Sequence, residues 1–244
     1  MQTLAIQPNR IEPTRPAPQA GPPRPELYTA VHKGLRAAMS DALLAVGRLD
    51  CDDADEVAEV LARVRALLAL SREHLEVEER AIHPTMEARC PGSAAQTAAD
   101  HREHLLSFIS LEAAVQVVER APARERPGAA LRLYRQLAVF VGENFLHMHV
   151  EETDNTSILW QTHSDADLAG VHQAIVSAIP PVQMAAFLRW MVPFQSPAER
   201  AAMLGAMQRT APAQVFEGVL ASLRPHLSRR DWGKLAAALG RESA

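Results

Sequence analysis

The sequence predicts an all-α protein: an up-down-up-down four-helix bundle with a C-terminal helical extension. Three observations carry that reading. From residue 26 onward, core-type residues recur at helical spacing, as in Tyr28, His32, Leu35, Met39 and Leu43. No stretch alternates apolar and polar residues as a half-buried strand would. Four long periodic segments are joined by short connections, which is how antiparallel neighbours in a bundle are linked.

Taken in order, residues 1–25 contain seven prolines, so they cannot build a helical hydrogen-bond ladder and are read as an extended or disordered arm. Residues 26–157 supply the bundle. The first helix is expected over 26–49. The acidic run "DDADE" at 52–56 suits a helix start, where carboxylates complement the dipole. The helix it opens carries the apolar stripe Val57, Val60, Leu61, Val64, Leu67 and Leu68. Pro84 is expected to kink or end it, with "CPG" at 90–92 closing the segment. A third helix is expected over about 94–120, stopping before "APARERPG", and a fourth over about 128–153. Residues 158–244 are helical in shorter pieces. "SPAE" at 196–199 has a cap serine, a first-turn proline and a glutamate completing a capping box, and "SRRD" at 228–231 has a similar layout. This extension holds the three tryptophans and is read as a cover for one end of the bundle or a contact for an oligomer or partner.

Bulk properties exclude several classes. The 244 residues suffice for a large core, and 48% hydrophobic with 22% charged content is that of a globular protein in water. A net charge of −4 offers no electrostatic reason to bind nucleic acid. Cys51 and Cys90 are too few for a disulfide framework and form no CxxC pair. No apolar run approaches the roughly 18 residues of a membrane span, and "MQTLAIQPNR" lacks the features of a signal peptide. The expectation is a cytoplasmic protein without nucleic-acid or membrane partners.

The informative pattern is a repeat. "HLEVEE" begins at His74 and "HMHVEE" at His147, both reading His-x-x-x-Glu-Glu late in a long predicted helix. One helix earlier stands another histidine in each case: His32 in "HKGLRAA" and His101 in "HREHLLS", 42 and 46 residues upstream. At about 100° per residue, positions i and i+4 differ by only about 40° and about 6 Å along the axis. His74 and Glu78 therefore share a face, as do His147 and Glu151. Glu79 and Glu152 lie about 140° from their histidines, and His149 about 200° from His147, so these are weaker candidates.

Two such hairpins packed with approximate two-fold symmetry send four histidines and two carboxylates to one place. Burying carboxylates costs several kcal/mol each unless something compensates. Divalent cations do so, because imidazole and carboxylate are good ligands for iron, zinc or manganese. Six ligands exceed the needs of one tetrahedral zinc and suit two metals, each held by two histidines with Glu78 and Glu151 bridging. Mixed nitrogen and oxygen ligation with open positions favours iron. His104, one turn beyond His101, is an additional candidate. Tyr28 and Glu143 are candidate neighbours of the pocket, and Asp154 is expected to be out of reach. His83, His163, His172 and His226 repeat no pattern. Met184, Met191, Met203 and Met207 are read as packing.

These residues resemble the hemerythrin-like, or HHE cation-binding, family over roughly residues 27–156, through "VHKGLR", "HLEVEERAIHPTME", "DHREHLLSF" and "FLHMHVEE". The resemblance implies a left-handed four-helix bundle around a non-haem di-iron centre, with bridging carboxylates and an open site for dioxygen or a related small ligand. It implies the ligands His32, His74, Glu78, His101, His147 and Glu151. Oxygen-carrying hemerythrins use a His-x-x-x-His pair on the third helix, where this chain has Leu105, and an aspartate five residues after the last histidine, where this chain has Glu152. The four-histidine, two-glutamate set looks more like bacterial proteins that repair damaged iron centres under nitrosative stress, without their N-terminal cysteine-containing domain. Three functions are expected on this basis: binding of dioxygen or nitric oxide for sensing or redox response, an iron-centre repair or peroxide-handling enzyme, and a metal storage or structural site. No P-loop, dinucleotide fingerprint or nucleophile constellation argues for another class.

Overall fold

The computed structural model describes residues 24–241; the expected N-terminal arm lies outside them except for Arg24 and Pro25. Every element among the described residues is helical, and none is a strand. Four long helices carry the N-terminal part: α1 (Thr29–Gly47), α2 (Ala54–Val77), α4 (Ala95–Arg120) and α5 (Arg126–Val150), with the short α3 (His83–Arg89) between α2 and α4. α1 packs against α2 and α5, and α4 packs against the same two helices.

The starts reflect local chemistry. Asp53 accepts hydrogen bonds from the backbone N–H groups of Asp55 and Glu56, which places the α2 cap inside the acidic run. Glu87 accepts from the backbone N–H groups of Gly92 and Ala94 at 2.7 and 2.8 Å, closing the turn that begins α4. Gly92 has φ +85°, a conformation that costs glycine nothing and other residues strain.

Pro84 does not end the second helical segment. α2 passes into a π-helical turn at Glu78–Ile82 and continues as α3, with Pro84 in its first turn, where a missing N–H is tolerated. The segment ends at Cys90, as "CPG" suggested. The same event occurs after α5: a second π-turn, Glu151–Asn155, leads into α6 (Thr156–Thr162) with no proline present. Proline is therefore not the shared cause. The two π-turns share their position, each beginning at the acid of a His-x-x-x-Glu pair.

Three apolar clusters organise the interior. The largest comprises Leu35, Met39 and Val46 of α1, Leu61, Val64 and Leu67 of α2, Phe108, Leu111 and Val115 of α4, and Leu133, Leu137 and Phe140 of α5. A smaller one gathers Tyr28, Ile82, Met86, Ala94, Leu159 and Leu168. Along each long helix, the histidines and acids of the repeat fall between members of these two clusters. The polar layer thereby lies between two apolar clusters.

The remaining helices are α7 (Asp165–Ala178), α8 (Pro181–Phe194), α9 (Pro197–Thr210), α10 (Ala213–Leu223) and α11 (Arg229–Ala238). Ser196 and Glu199 form the expected capping box, and Ser228 caps α11 through the backbone N–H of Asp231. The third cluster, including Leu188, Val192, Leu204, Phe216, Leu220 and Leu235, joins α8 to α11. Buried Arg200 donates to the carbonyls of Val192, Pro193 and Gln195, satisfying the open C-terminal end of α8. Among the described residues no single helix is long and apolar enough to cross a membrane; α7 and α8 reach that composition only as a pair bent by 117°.

α8 packs against α1. Gln195 donates to the carbonyl of Ala30 at 2.7 Å, and Lys33 pairs with Glu199 at 2.7 Å. The crossing is close because Gly34 has no side chain: a Cβ there would stand 2.9 Å from the backbone nitrogen of Met191. Backbone cannot step aside as a side-chain tip can. Gly34→Val is therefore expected to push α8 off α1 and destabilise the protein by about 1–3 kcal/mol. Urea unfolding tracked by tryptophan fluorescence measures this, and an unchanged midpoint would contradict the close crossing.

Candidate metal centre

The six residues of the repeat come together in the polar layer. Each is almost wholly enclosed: His32, His101 and Glu151 are 0% exposed, Glu78 1%, His147 4% and His74 6%. All four imidazoles turn Nε2 inward. His32 Nε2 lies 3.4 Å from Glu151 Oε2 and 3.7 Å from Glu78 Oε1. His74 Nε2 is 3.2 Å from the same Glu78 oxygen. On the other side, His101 Nε2 lies 3.4 Å from Glu78 Oε2 and 3.8 Å from Glu151 Oε1, and His147 Nε2 is 3.4 Å from Glu151 Oε1. Each carboxylate thus presents one oxygen to each histidine pair. The result is two overlapping groups, His32–His74–Glu78–Glu151 and Glu78–His101–His147–Glu151, whose ligand atoms lie within 4.8 Å of one another. Either could hold a metal ion.

Glu78 and Glu151 point inward with their histidines by the helical repeat, and a π-turn begins at each of them. The adjacent acids, inside those turns, reach toward the opposite hairpin. Glu79 Oε1 sits 3.3 Å from His101 Nδ1, and Glu152 Oε1 3.1 Å from His32 Nδ1. Arg36 in turn grips both oxygens of Glu152. The second acid of each His-x-x-x-Glu-Glu is therefore a support for the lone histidine of the other hairpin. Periodicity makes these acids weaker ligand candidates but does not show where they go. Asp100 Oδ2 stands 3.4 Å from His147 Nδ1 and escaped the sequence reading altogether; its position directly before His101 was the only signal for it. An imidazole whose Nδ1–H is held by a carboxylate has a defined tautomer and a more basic Nε2.

Of the other candidates, His104 is buried beside the centre, its ring 5.0 Å from that of His147, with neither nitrogen hydrogen-bonded. Tyr28 is fully buried, its ring 5.5 Å from that of His32. Asn155 donates to the Tyr28 hydroxyl and to Thr97 Oγ1, both at 3.4 Å. His83, which repeated no sequence pattern, is buried and stacks on His101 at 4.9 Å. His163 is also buried. Glu143, Asp154, His149 and His172 are exposed.

The electrostatics are severe. All four carboxylate oxygens of Glu78 and Glu151 are buried without a hydrogen-bond partner, the imidazoles standing close by. Two full charges within 4.8 Å repel by at least about 3 kcal/mol even at an effective dielectric of about 20. Burial pushes His74 down to about 4 and His147 down to about 2, against the pull of Glu78. At His32 and His101 burial works in the same direction, but the carboxylates overcome it. Glu152, Glu78 and Glu151 hold His32 up to about 9, and Glu151 and Glu78 hold His101 up to about 10. Burial and the neighbouring Glu78 raise Glu151 to about 7, whereas Glu78 itself, despite burial, is held low by His74, His101 and His32. The two carboxylates titrate as a pair that resists double ionisation. Cations at the two groups would replace these protons and supply the missing partners for all four oxygens, so the donor set fits a pair of divalent ions.

No family model, no curated protein and no solved structure matches this chain. Its function is therefore argued from the site.

Proposed function

We propose that this protein binds two divalent cations, iron above all, in an up-down-up-down four-helix bundle of the kind the hemerythrin-like resemblance implies. In this reading it takes up dioxygen, nitric oxide or a related small ligand for sensing or redox response. The supporting observation is the division of the buried cluster into two groups, each with two Nε2 atoms and one oxygen from each of Glu78 and Glu151. His32 and His74 would hold one cation, His101 and His147 the other, and both glutamates would bridge. Iron bound there supplies valence change and open coordination positions. The chain itself flanks the site with two apolar clusters and orients three of the four imidazoles through Glu152, Glu79 and Asp100.

Metal analysis of freshly purified protein, with absorption spectra before and after adding azide or dioxygen, tests this. The expected result is about two irons per chain, as the two donor groups require, with near-ultraviolet bands that change on adding the ligand. One zinc per chain with no response to either ligand would overturn the ligand-binding reading in favour of a structural site. Turnover of peroxide or reductant by the iron-loaded protein would instead favour the enzymatic alternative.

A further inference from the structure

The two halves of the centre are not equivalent, and the difference lies outside the ligands. Superposing the repeat in register pairs His32 with His101, His74 with His147, Glu78 with Glu151 and Glu79 with Glu152. The same register pairs Val31 with Asp100 and Leu35 with His104. On the α4–α5 side, both imidazoles are backed by carboxylates: Glu79 behind His101 and Asp100 behind His147. Asp100 is itself held by Gln96, whose amide donates to Oδ1 at 2.9 Å. On the α1–α2 side only His32 is backed, by Glu152. Among the described residues no carboxylate stands behind His74 Nδ1, and the place equivalent to Asp100 is occupied by Val31, half-buried against the main core.

His104 adds to the asymmetry. Its counterpart Leu35 belongs to the apolar core, whereas His104 brings two buried, unpartnered nitrogens edge-on to the His147 ring. An orphaned buried polar group of this kind costs about 1–3 kcal/mol, and a hydrogen bond to a group bound at the adjacent cation position would recover it.

We propose that the two cation positions differ in affinity. The His101–His147 position, supported by Glu79, Asp100 and His104, is the tight one and fills first; the His32–His74 position is the loose one. This rests on the two-cation reading above. Loss of a carboxylate behind a ligating imidazole weakens a cation by about 10–100-fold, so the two positions separate by a comparable factor.

The test is a titration of the chelator-treated full chain with Co(II) alone, monitored by visible absorption and calorimetry. Wild type is expected to bind in two steps. Two identical positions sharing both carboxylates would also fill stepwise, since the second ion meets the charge of the first, so variants decide. Asp100→Ala and His104→Leu are expected to weaken the first step by about 10-fold or more and spare the second. Val31→Asp is expected to strengthen the second step and spare the first. This gain does not depend on a destabilising deletion, and circular dichroism verifies the fold of each variant. Equal effects of Asp100→Ala on both steps, or no effect of Val31→Asp and His104→Leu, would overturn the inequality while leaving the two-cation reading intact. Failure of the wild type to bind Co(II) stoichiometrically would sink the two-cation reading, and this inference with it.

Discussion

The double variant Glu78→Gln/Glu151→Gln is expected to lose both cations while keeping its helices. Glutamine has the shape of glutamate but no charge, and its amide nitrogen cannot serve as a ligand, so one residue can no longer join the two histidine pairs. The fall in affinity should exceed the roughly 10–100-fold that removal of a supporting contact produces, because here the contacts removed are to the ions themselves. Stability of the cation-free protein should fall too, because these carboxylates are what hold His32 and His101 protonated in the folded chain, and a proton held more tightly by the folded chain stabilises it. Removing the anionic partners from a buried cluster forfeits that contribution. The cation-free variant should therefore melt below cation-free wild type near neutral pH. Metal analysis after gel filtration and thermal melts by circular dichroism check both halves. Retained metal would mean that the carboxylates are not what holds it, and an unchanged or higher melting temperature would mean that they do not hold the protons of His32 and His101.

The parts of the centre that could be read in the sequence are those set within one helix or by the repeat of the hairpin. The convergence of His74 with Glu78, and of His147 with Glu151, needs only the helical repeat, which is local. The inward turn of His32 and His101 needs the chain to contain the same hairpin twice, and the doubled motif supplied that. Contacts made across hairpins were not legible. Glu79 and Glu152 sit about 140° from their own histidines, which makes them weaker ligand candidates but does not show that each ends behind a histidine of the other half. Their reach depends on π-turns that no residue type announces: one includes the run before Pro84, the other has no proline at all. Asp100 was illegible for the same reason, since its partner His147 lies on another helix.

The C-terminal helices show the reverse. Ser196, Glu199 and Ser228 announced their starts correctly, because caps are local chemistry. Where those helices dock was not local. A glycine in "HKGLRAA" gives no hint that α8 will cross α1 there, and the crossing lies directly beside the helix turn that carries His32.

Removing the cations should produce the second large effect: a lower melting temperature together with a new sensitivity to alkali. A ligand that binds only the folded chain stabilises it by about 2.7 kcal/mol at a free concentration of 100 Kd, and two positions contribute in this way. In the cation-free protein the same sites hold protons instead. His32 and His101 are raised from 6.5 to about 9 and about 10, so the folded chain keeps protons that the unfolded chain releases. Their contribution is fully present below about pH 6.5 and is lost as pH rises through 9 and then 10. Glu151, raised from 4.5 to about 7, acts in the same direction at lower pH. Cation-free protein should accordingly lose stability steadily from about pH 6.5 toward 10. In the loaded protein His32 and His101 bear cations rather than protons, so this alkaline loss should largely vanish. Loading near pH 7 should also expel about two to three protons per chain, one each from His32 and His101 and part of one from Glu151. Calorimetry in two buffers of different ionisation enthalpy measures that number directly. If melts with and without chelator coincide across this range, or if loading releases no protons, the buried imidazoles are not where the cations go.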